Sequence, residues 1–234
     1  MSQRGGPPKR VDPRGLPHDA DDPSWAPDGR RLVFTDSHDL FIVDVDGCGL
    51  ERLRIADPPT SANDPAWSPS GGAIVFSGRP DVGAEQVFLV KPDGTGLRQL
   101  TKSGGLQPEW SPDGSKIAIL TGWGEGYVPP DSLRITIMNA DGSGARVVRK
   151  IRNPGPPISL GLAWSPDGKK IAFVEGSDTS PGSSSLWVMD VRGANGHWVT
   201  ERRRPELAAA PVDLPERVGL AVWRRGPRFA TLRP

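Results

Sequence analysis

The chain has 234 residues, enough for one sizeable core or a ring of small modules, without staples or a cofactor to fold it. Its 29 basic and 28 acidic residues leave a formal net charge of +1, which offers no overall field to nucleic acid or an anionic membrane. A lone cysteine, Cys48, excludes an internal disulfide, and nowhere is there an apolar run of the roughly eighteen residues needed to cross a bilayer as a helix.

Residues 1–8 are rich in Pro, Gly and Arg and read as a disordered tail. No apolar stretch of signal-peptide length follows them. The sequence as written is therefore expected to be cytoplasmic, and periplasmic or exported if the start is misassigned. The 29 glycines and 26 prolines of the chain fall at regular intervals between apolar runs, so they punctuate strands rather than mark low complexity.

The first organised stretch runs from Asp22-Pro23-Ser24-Trp25-Ala26-Pro27-Asp28-Gly29 into the apolar Leu32-Val33-Phe34. It continues through Leu40 to Asp44 and, after Asp46-Gly47-Cys48-Gly49, into Leu50 to Leu53. Each piece reads as a short strand. The same order returns around Trp67, Trp110 and Trp164, where the fullest copy reads Trp110-Ser111-Pro112-Asp113-Gly114-Ser115-Lys116-Ile117. Pro112 presets the first central position of a type I turn, Asp113 suits the second, and Gly114 takes a left-handed conformation, which predicts a hairpin with a three-residue loop. The tryptophans are spaced by 42, 43 and 54 residues. Four short strands repeating at about 40 to 45 residues predict the blades of a β-propeller, an all-β fold.

A worn fifth copy covers Leu220 to Leu232 around Trp223 and supplies only two strands. Val11 precedes Trp25 by the same fourteen positions that separate Leu53 from Trp67, so residues 9–12 are expected to act as the fourth strand of that blade. The domain expectation is one propeller over 9–234, with blades at about 22–53, 64–100, 107–148, 161–200, and 220–232 with 9–12. A blade packs between two neighbours, and the consecutive apolar residues of Ile74-Val75-Phe76 or Ile117-Ala118-Ile119 suit strands buried on both faces. The tryptophans are expected to be interblade core.

These Trp-Ser-Pro-Asp-Gly turns, each followed by an apolar strand and a later Asp-Gly-x-Gly turn, resemble the WD40-like propeller repeat of the TolB family over about residues 9–200. The resemblance implies a propeller acting in envelope protein assemblies; similar propellers form the gating domain of prolyl oligopeptidase-like enzymes.

No nucleophile elbow is present, and His18, His38 and His197 are scattered over loops, so no catalytic residue is assigned. Asp44-Val45-Asp46-Gly47-Cys48-Gly49 lacks the spacing of a calcium loop and reads as a turn; no metal or cofactor is expected. Arg202-Arg203-Arg204 is flanked by Glu201 and Glu206 without aromatics and reads as a solvated connector rather than a nucleic-acid site.

The loops differ more. Connections between first and second strands, and between third and fourth, are short and uniform. Those on the opposite face vary: Gly78 to Gln86 carries Arg79 and Asp81, Thr121 to Ser132 carries Trp123, Glu125, Tyr127 and Asp131, and Arg149 to Gly161 carries Arg152. Elaborated loops on a rigid scaffold are where binding resides, and two large aromatics in a Gly/Pro loop fit an interaction anchor. The expected function is a non-catalytic scaffold that binds a protein or peptide over this face, centred on Trp123 and Tyr127, with no membrane insertion. The alternatives are a small-ligand or hydrolytic/lyase propeller using acidic residues of the central funnel, Asp36, Asp81, Glu125 and Asp178, and a truncated domain of a larger sensor or peptidase.

Overall fold

The computed structural model describes residues 11, 19–36, 38–122, 132–152, 161–176 and 184–191. All lie in the first of two units of the chain, Met1–Glu201. The described residues form strands and turns with no helix. The first blade is β1 (Asp21–Trp25), β2 (Arg31–Thr35), β3 (Leu40–Asp44) and β4 (Glu51–Arg52). The second is β5 (Asn63–Trp67), β6 (Ile74–Gly78), β7 (Gln86–Val90) and β8 (Arg98–Gln99). The third is β9 (Leu106–Trp110), β10 (Lys116–Thr121), β11 (Ser132–Asn139) and β12 (Arg146–Arg152). The fourth shows β13 (Ala163–Trp164), β14 (Lys170–Gly176) and β15 (Ser184–Asp190). Within each sheet, chain neighbours pair antiparallel in sequence order. The first strands lie side by side, β1 against β5, β5 against β9 and β9 against β13, as the innermost strands of a propeller do.

Alternation along the second strands explains why they are apolar at successive positions. Ile74 and Phe76 join Val33, Leu40 and Leu53 of the first blade, while Val75 turns the other way to Ile117 and Ile119 of the third. Ala118 and Leu120 then meet Ile171 and Phe173 of the fourth. At the first three apolar positions of the second strand, the large residues Ile74, Phe76, Ile117 and Ile119 face the blade before and the smaller Val75 and Ala118 the blade after. No blade can bury both its faces alone, so the core is made between sheets.

The tryptophans follow this rule with one exception. Trp67 is 6% exposed, and Trp110 and Trp164 pack against interblade clusters. Trp110 and Trp164 each donate Nε1–H to the carbonyl of the residue before the preceding blade's tryptophan, Ala66 at 3.2 Å and Glu109 at 3.1 Å. Trp25 is 60% exposed instead of core, because among the described residues no blade precedes the first. The expected fifth blade, 220–232 with 9–12, lies outside the described residues apart from Val11, which is in no strand, and so do the expected tail 1–8 and the fourth strand over 198–200.

The hairpin turns depart from expectation by one residue. The closing pair is Ser111 and Lys116, joined by Ser111 N–H to Lys116 O at 2.9 Å, so the loop Pro112–Ser115 has four residues rather than three. Side chains hold the extra one: Asp113 Oδ1 accepts Ser115 N–H at 3.0 Å, and Ser111 Oγ accepts Lys116 N–H at 2.9 Å. Gly114 is left-handed as expected, with φ of +69°. The second glycine motif has a packing cause as well. A Cβ on Gly94 would stand 2.3 Å from Arg54 O, and one on Gly142 would stand 2.9 Å from Leu100 O, so each turn rests on the end of the preceding blade.

Candidate functional site: the axial strands and the loop face

The two kinds of connection separate as the loop comparison predicts. On one face, the first-to-second turn is tied to the third-to-fourth connection by one main-chain bond in the first, third and fourth blades: Val45 N–H to Arg30 O, Ala140 N–H to Ser115 O, and Val191 N–H to Lys169 O; the second blade has Pro92 at this position and no N–H to give. The carboxylates of this face are spent on their own turns. The Ser111 hydroxyl and the Ser115 N–H and hydroxyl hold Asp113 at about 2, and the Ser165 hydroxyl lowers Asp167 in the same way. Asp46 Oδ1 accepts Cys48 N–H at 2.8 Å, which makes the Asp-Gly-x-Gly stretch a turn. An open groove of about 500 Å³ lies here between the third and fourth blades, bordered by Asp113, Lys116, Asn139, Arg146, Trp164 and Asp167.

The other face gathers the blade-to-blade connections and the second-to-third loops. Thr60 N–H donates to Arg79 O at 2.7 Å, Arg79 N–H to Ser61 Oγ at 3.1 Å, and Gly105 N–H to Glu85 O at 2.9 Å. Arg79 and Asp81 are exposed on this loop. Asp36, from the corresponding loop of the first blade, caps its own turn by accepting Asp39 N–H at 2.8 Å. Arg152 is corrected: it ends strand β12 instead of sitting in a loop, since the strand runs four residues beyond its expected end at Val148. Trp123, Glu125, Tyr127, Asp131 and Asp178 lie outside the described residues.

Where the first strands start on this face, the backbone does something the sequence did not announce. Three residues before each tryptophan, Asp22, Asp64, Gln107 and Gly161 all take left-handed φ, at 50°, 48°, 49° and 43°. The β1–β2, β5–β6 and β9–β10 ladders slip at this point. Such a conformation costs a non-glycine residue about 1 kcal/mol or more, so something must hold it. Polar side chains do so from blade to blade. Asp22 Oδ2 accepts Asp64 N–H at 3.2 Å, Ser77 Oγ donates to Asp64 Oδ2 at 3.4 Å, and the same Ser77 oxygen accepts Gln107 N–H at 3.0 Å. Beside them Asn63 Nδ2 donates to Glu85 Oε1 at 3.3 Å.

Glu109 is the functional candidate that sequence reasoning passed over. It precedes Trp110, at the position held by Ser24, Ala66 and Ala163 in the other blades. Its side chain keeps access to water while protein crowds it on most sides, and this crowding, with the negative charge of Asp64, pushes its carboxyl up to about 7. A carboxyl held there can accept or release a proton at neutral pH. Its signal was present as the one charged residue among four aligned positions. Among the described residues, no three His, Cys, Asp or Glu side chains lie close enough to hold a metal ion.

No family model matches the chain. A TolB homologue from Chlorobium luteolum is 35% identical over 106 residues, covering 42% of this chain and 23% of that protein. An uncharacterized protein from Agrobacterium fabrum is 27% identical over 158 residues, 64% of this chain and 53% of the relative. The chain thus matches about a quarter and about half of the lengths of these relatives. Among solved structures, TolB from Acinetobacter baumannii superposes with a TM-score of 0.57 at 19% identity, covering 72% of this chain and 40% of that one. An oligogalacturonate lyase in complex with manganese gives 0.56 at 16% identity, covering 79% and 55%. At such identities the structural likeness speaks for fold alone. The repeat sequence, the sheet order and these likenesses agree: the chain is a TolB-like β-propeller.

Proposed function

We propose that this propeller is a non-catalytic scaffold that binds a protein or peptide partner over its variable loop face, in an exported, periplasmic setting. The observation that supports the reading is the contrast between faces. Turns on one side repeat from blade to blade and use up their own polar groups, whereas the other side offers loops that differ, with Arg79 and Asp81 exposed on one of them. In this reading Trp123 and Tyr127 anchor the partner, and Glu125, Asp131 and Arg152 contribute polar contacts to it. Peptides selected by display against the immobilised chain test it. Replacing Trp123 and Tyr127 with alanine should weaken the selected peptides tenfold or more, and replacing Lys116 and Asn139 on the opposite face should leave them bound. Unchanged binding by a folded Trp123→Ala/Tyr127→Ala variant overturns the reading.

A second reading is favoured by one observation, the carboxyl of Glu109 at about 7 beside Asp64. In it, the axial mouth receives a small ligand, and Glu109 is the group that exchanges a proton with it. A ligand found by thermal-shift screening should then lose its effect in Glu109→Gln but not in Asp113→Asn; equal response in both variants rejects it.

A further inference from the structure

We propose that the outer edge of the third blade, strand β12, is a docking edge for an acidic, extended peptide, which adds to the sheet as its next strand. The outer strands of the first two blades, β4 and β8, are two residues long. Strand β12 runs seven, Arg146–Arg152, stands at the end of its sheet, and has no strand beyond it among the described residues. A strand of that length offers about 23 Å of main-chain donors and acceptors, which is a template for another strand.

The side chains specify what kind of strand. Four of the seven residues are cations, Arg146, Arg149, Lys150 and Arg152, and none is an anion. On the face turned to the fourth blade the charges are used internally: Arg146 Nη2 donates to Val191 O at 2.5 Å, and the Arg149 guanidinium sits 5.8 Å from the centre of the Trp187 ring. The opposite face is different. There Lys150 lies directly across from Arg134 of β11, and Val147 across from Thr136. Among the described residues no carboxylate pairs with Arg134 or Lys150. Like charges set directly opposite each other on a sheet destabilise it, so this pair detracts from the fold unless an anion is supplied from outside. Val147, on the same face, is 48% exposed and gives an arriving strand an apolar contact.

Charge also decides among occupants. A second copy pairing through the same edge would bring Lys150 and Arg134 against their own kind, and is repelled. A polyanion without a peptide backbone would satisfy the charges but leave the ladder groups and Val147 unused. An acidic peptide satisfies all three.

The test uses the full chain and a labelled peptide of alternating valine and glutamate, read by fluorescence anisotropy at low and physiological salt. A control peptide of the same charge carries proline at alternate positions, so it cannot complete a ladder. The Val/Glu peptide is expected to bind, the proline control at least tenfold more weakly, and Arg134→Glu/Lys150→Glu to lose tenfold or more. Lys150→Gln, a milder change, should lose about threefold while the melting temperature holds or rises slightly, since the like-charge pair is relieved. Equal binding of the two peptides, unchanged affinity in the folded double variant, no binding to the wild-type chain, or concentration-dependent self-association that the double variant abolishes would each overturn the proposal.

Discussion

Two tryptophans at the same repeat position are predicted to differ in worth because, among the described residues, only one has a blade behind it. Trp67 is 6% exposed, packs with Val33, Leu40 and Leu53 of the first blade, donates Nε1–H to Gly71 O at 3.1 Å, and lies under the Arg31 guanidinium at 5.1 Å from the ring centre. Trp25 leaves 60% of its surface in water. Truncating a buried aromatic to alanine costs about 3–5 kcal/mol, so Trp67→Ala should lose about that much. Scaling by the fraction still covered leaves about 1–2 kcal/mol for Trp25→Ala. With an m-value of about 3 kcal/mol per M urea, the Trp67 variant should unfold about 1–1.7 M earlier, and the Trp25 variant about 0.5 M earlier. Unfolding would be followed by both far-UV circular dichroism and fluorescence, since only coincident transitions license a two-state free energy. Equal midpoint shifts for the two variants would refute the reasoning, because they would show Trp25 covered as well as Trp67 is.

Gly142→Ala should destabilise by about 2 kcal/mol or more, since its φ is +87° and the new Cβ meets Leu100 O, whereas Gly29→Ala, with φ of +67° and nothing within 4 Å, should cost about 1 kcal/mol in the same urea assay. Ser77→Ala removes the buried hydroxyl that accepts Gln107 N–H and donates to Asp64, and should cost about 1–3 kcal/mol; a neutral result would mean that the left-handed residues need no such support. The Glu109 carboxyl is raised from 4.5 to about 7, so the folded state holds its proton more tightly than the unfolded one. The resulting stability is fully present below about pH 4.5 and is lost as pH rises through about 7. Melting temperatures of the wild type measured against Glu109→Gln should therefore fall between pH 5 and 8, and a rise would show the carboxyl to be stabilised in its charged form.

Most of the blade architecture was legible because repetition multiplies weak local signals. A single Ser-Pro-Asp-Gly is only a turn, but Trp67, Trp110 and Trp164 recur with the same apolar strand behind them, and each indeed packs against the blade before its own. The size of the turn was misjudged by one residue, because Ser111 and Asp113 bond the backbone of Lys116 and Ser115, and side-chain bonds of this sort are invisible to a rule based on backbone preference. Trp25 was misread for a different reason. A repeat pattern assigns every copy the same surroundings, and the first described blade does not have them. Strand β12 outran its expected end since Ile151, paired with Leu133, extends the apolar pairing into what composition alone marked as loop.

The axial residues were illegible because their role depends on neighbours in other blades. Asp22, Asp64 and Gln107 all stand before a proline, a setting that argues locally for an extended backbone. For Asp64 and Gln107 the partners that stabilise this conformation arrive across the interblade gap, Asp22 for Asp64 and Ser77 for Gln107, while Asp22 takes the same conformation in the first blade with its N–H on the Asp21 carboxylate. In a propeller the aligned copies serve as controls for one another, so a residue that departs from its counterparts at a place where the scaffold is otherwise invariant is not explained by the scaffold. Glu109, where the other blades have Ser24, Ala66 and Ala163, is such a departure at the axis; Lys150 on a lengthened outer strand, set across from Arg134 of the strand beside it, is another at the rim. The first raises a carboxyl to about 7 and the second sets two cations opposite each other, so both leave charge imperfectly satisfied among the described residues. A fold does not require either arrangement, and the physical economy of both improves only when something outside the chain supplies the missing charge or proton.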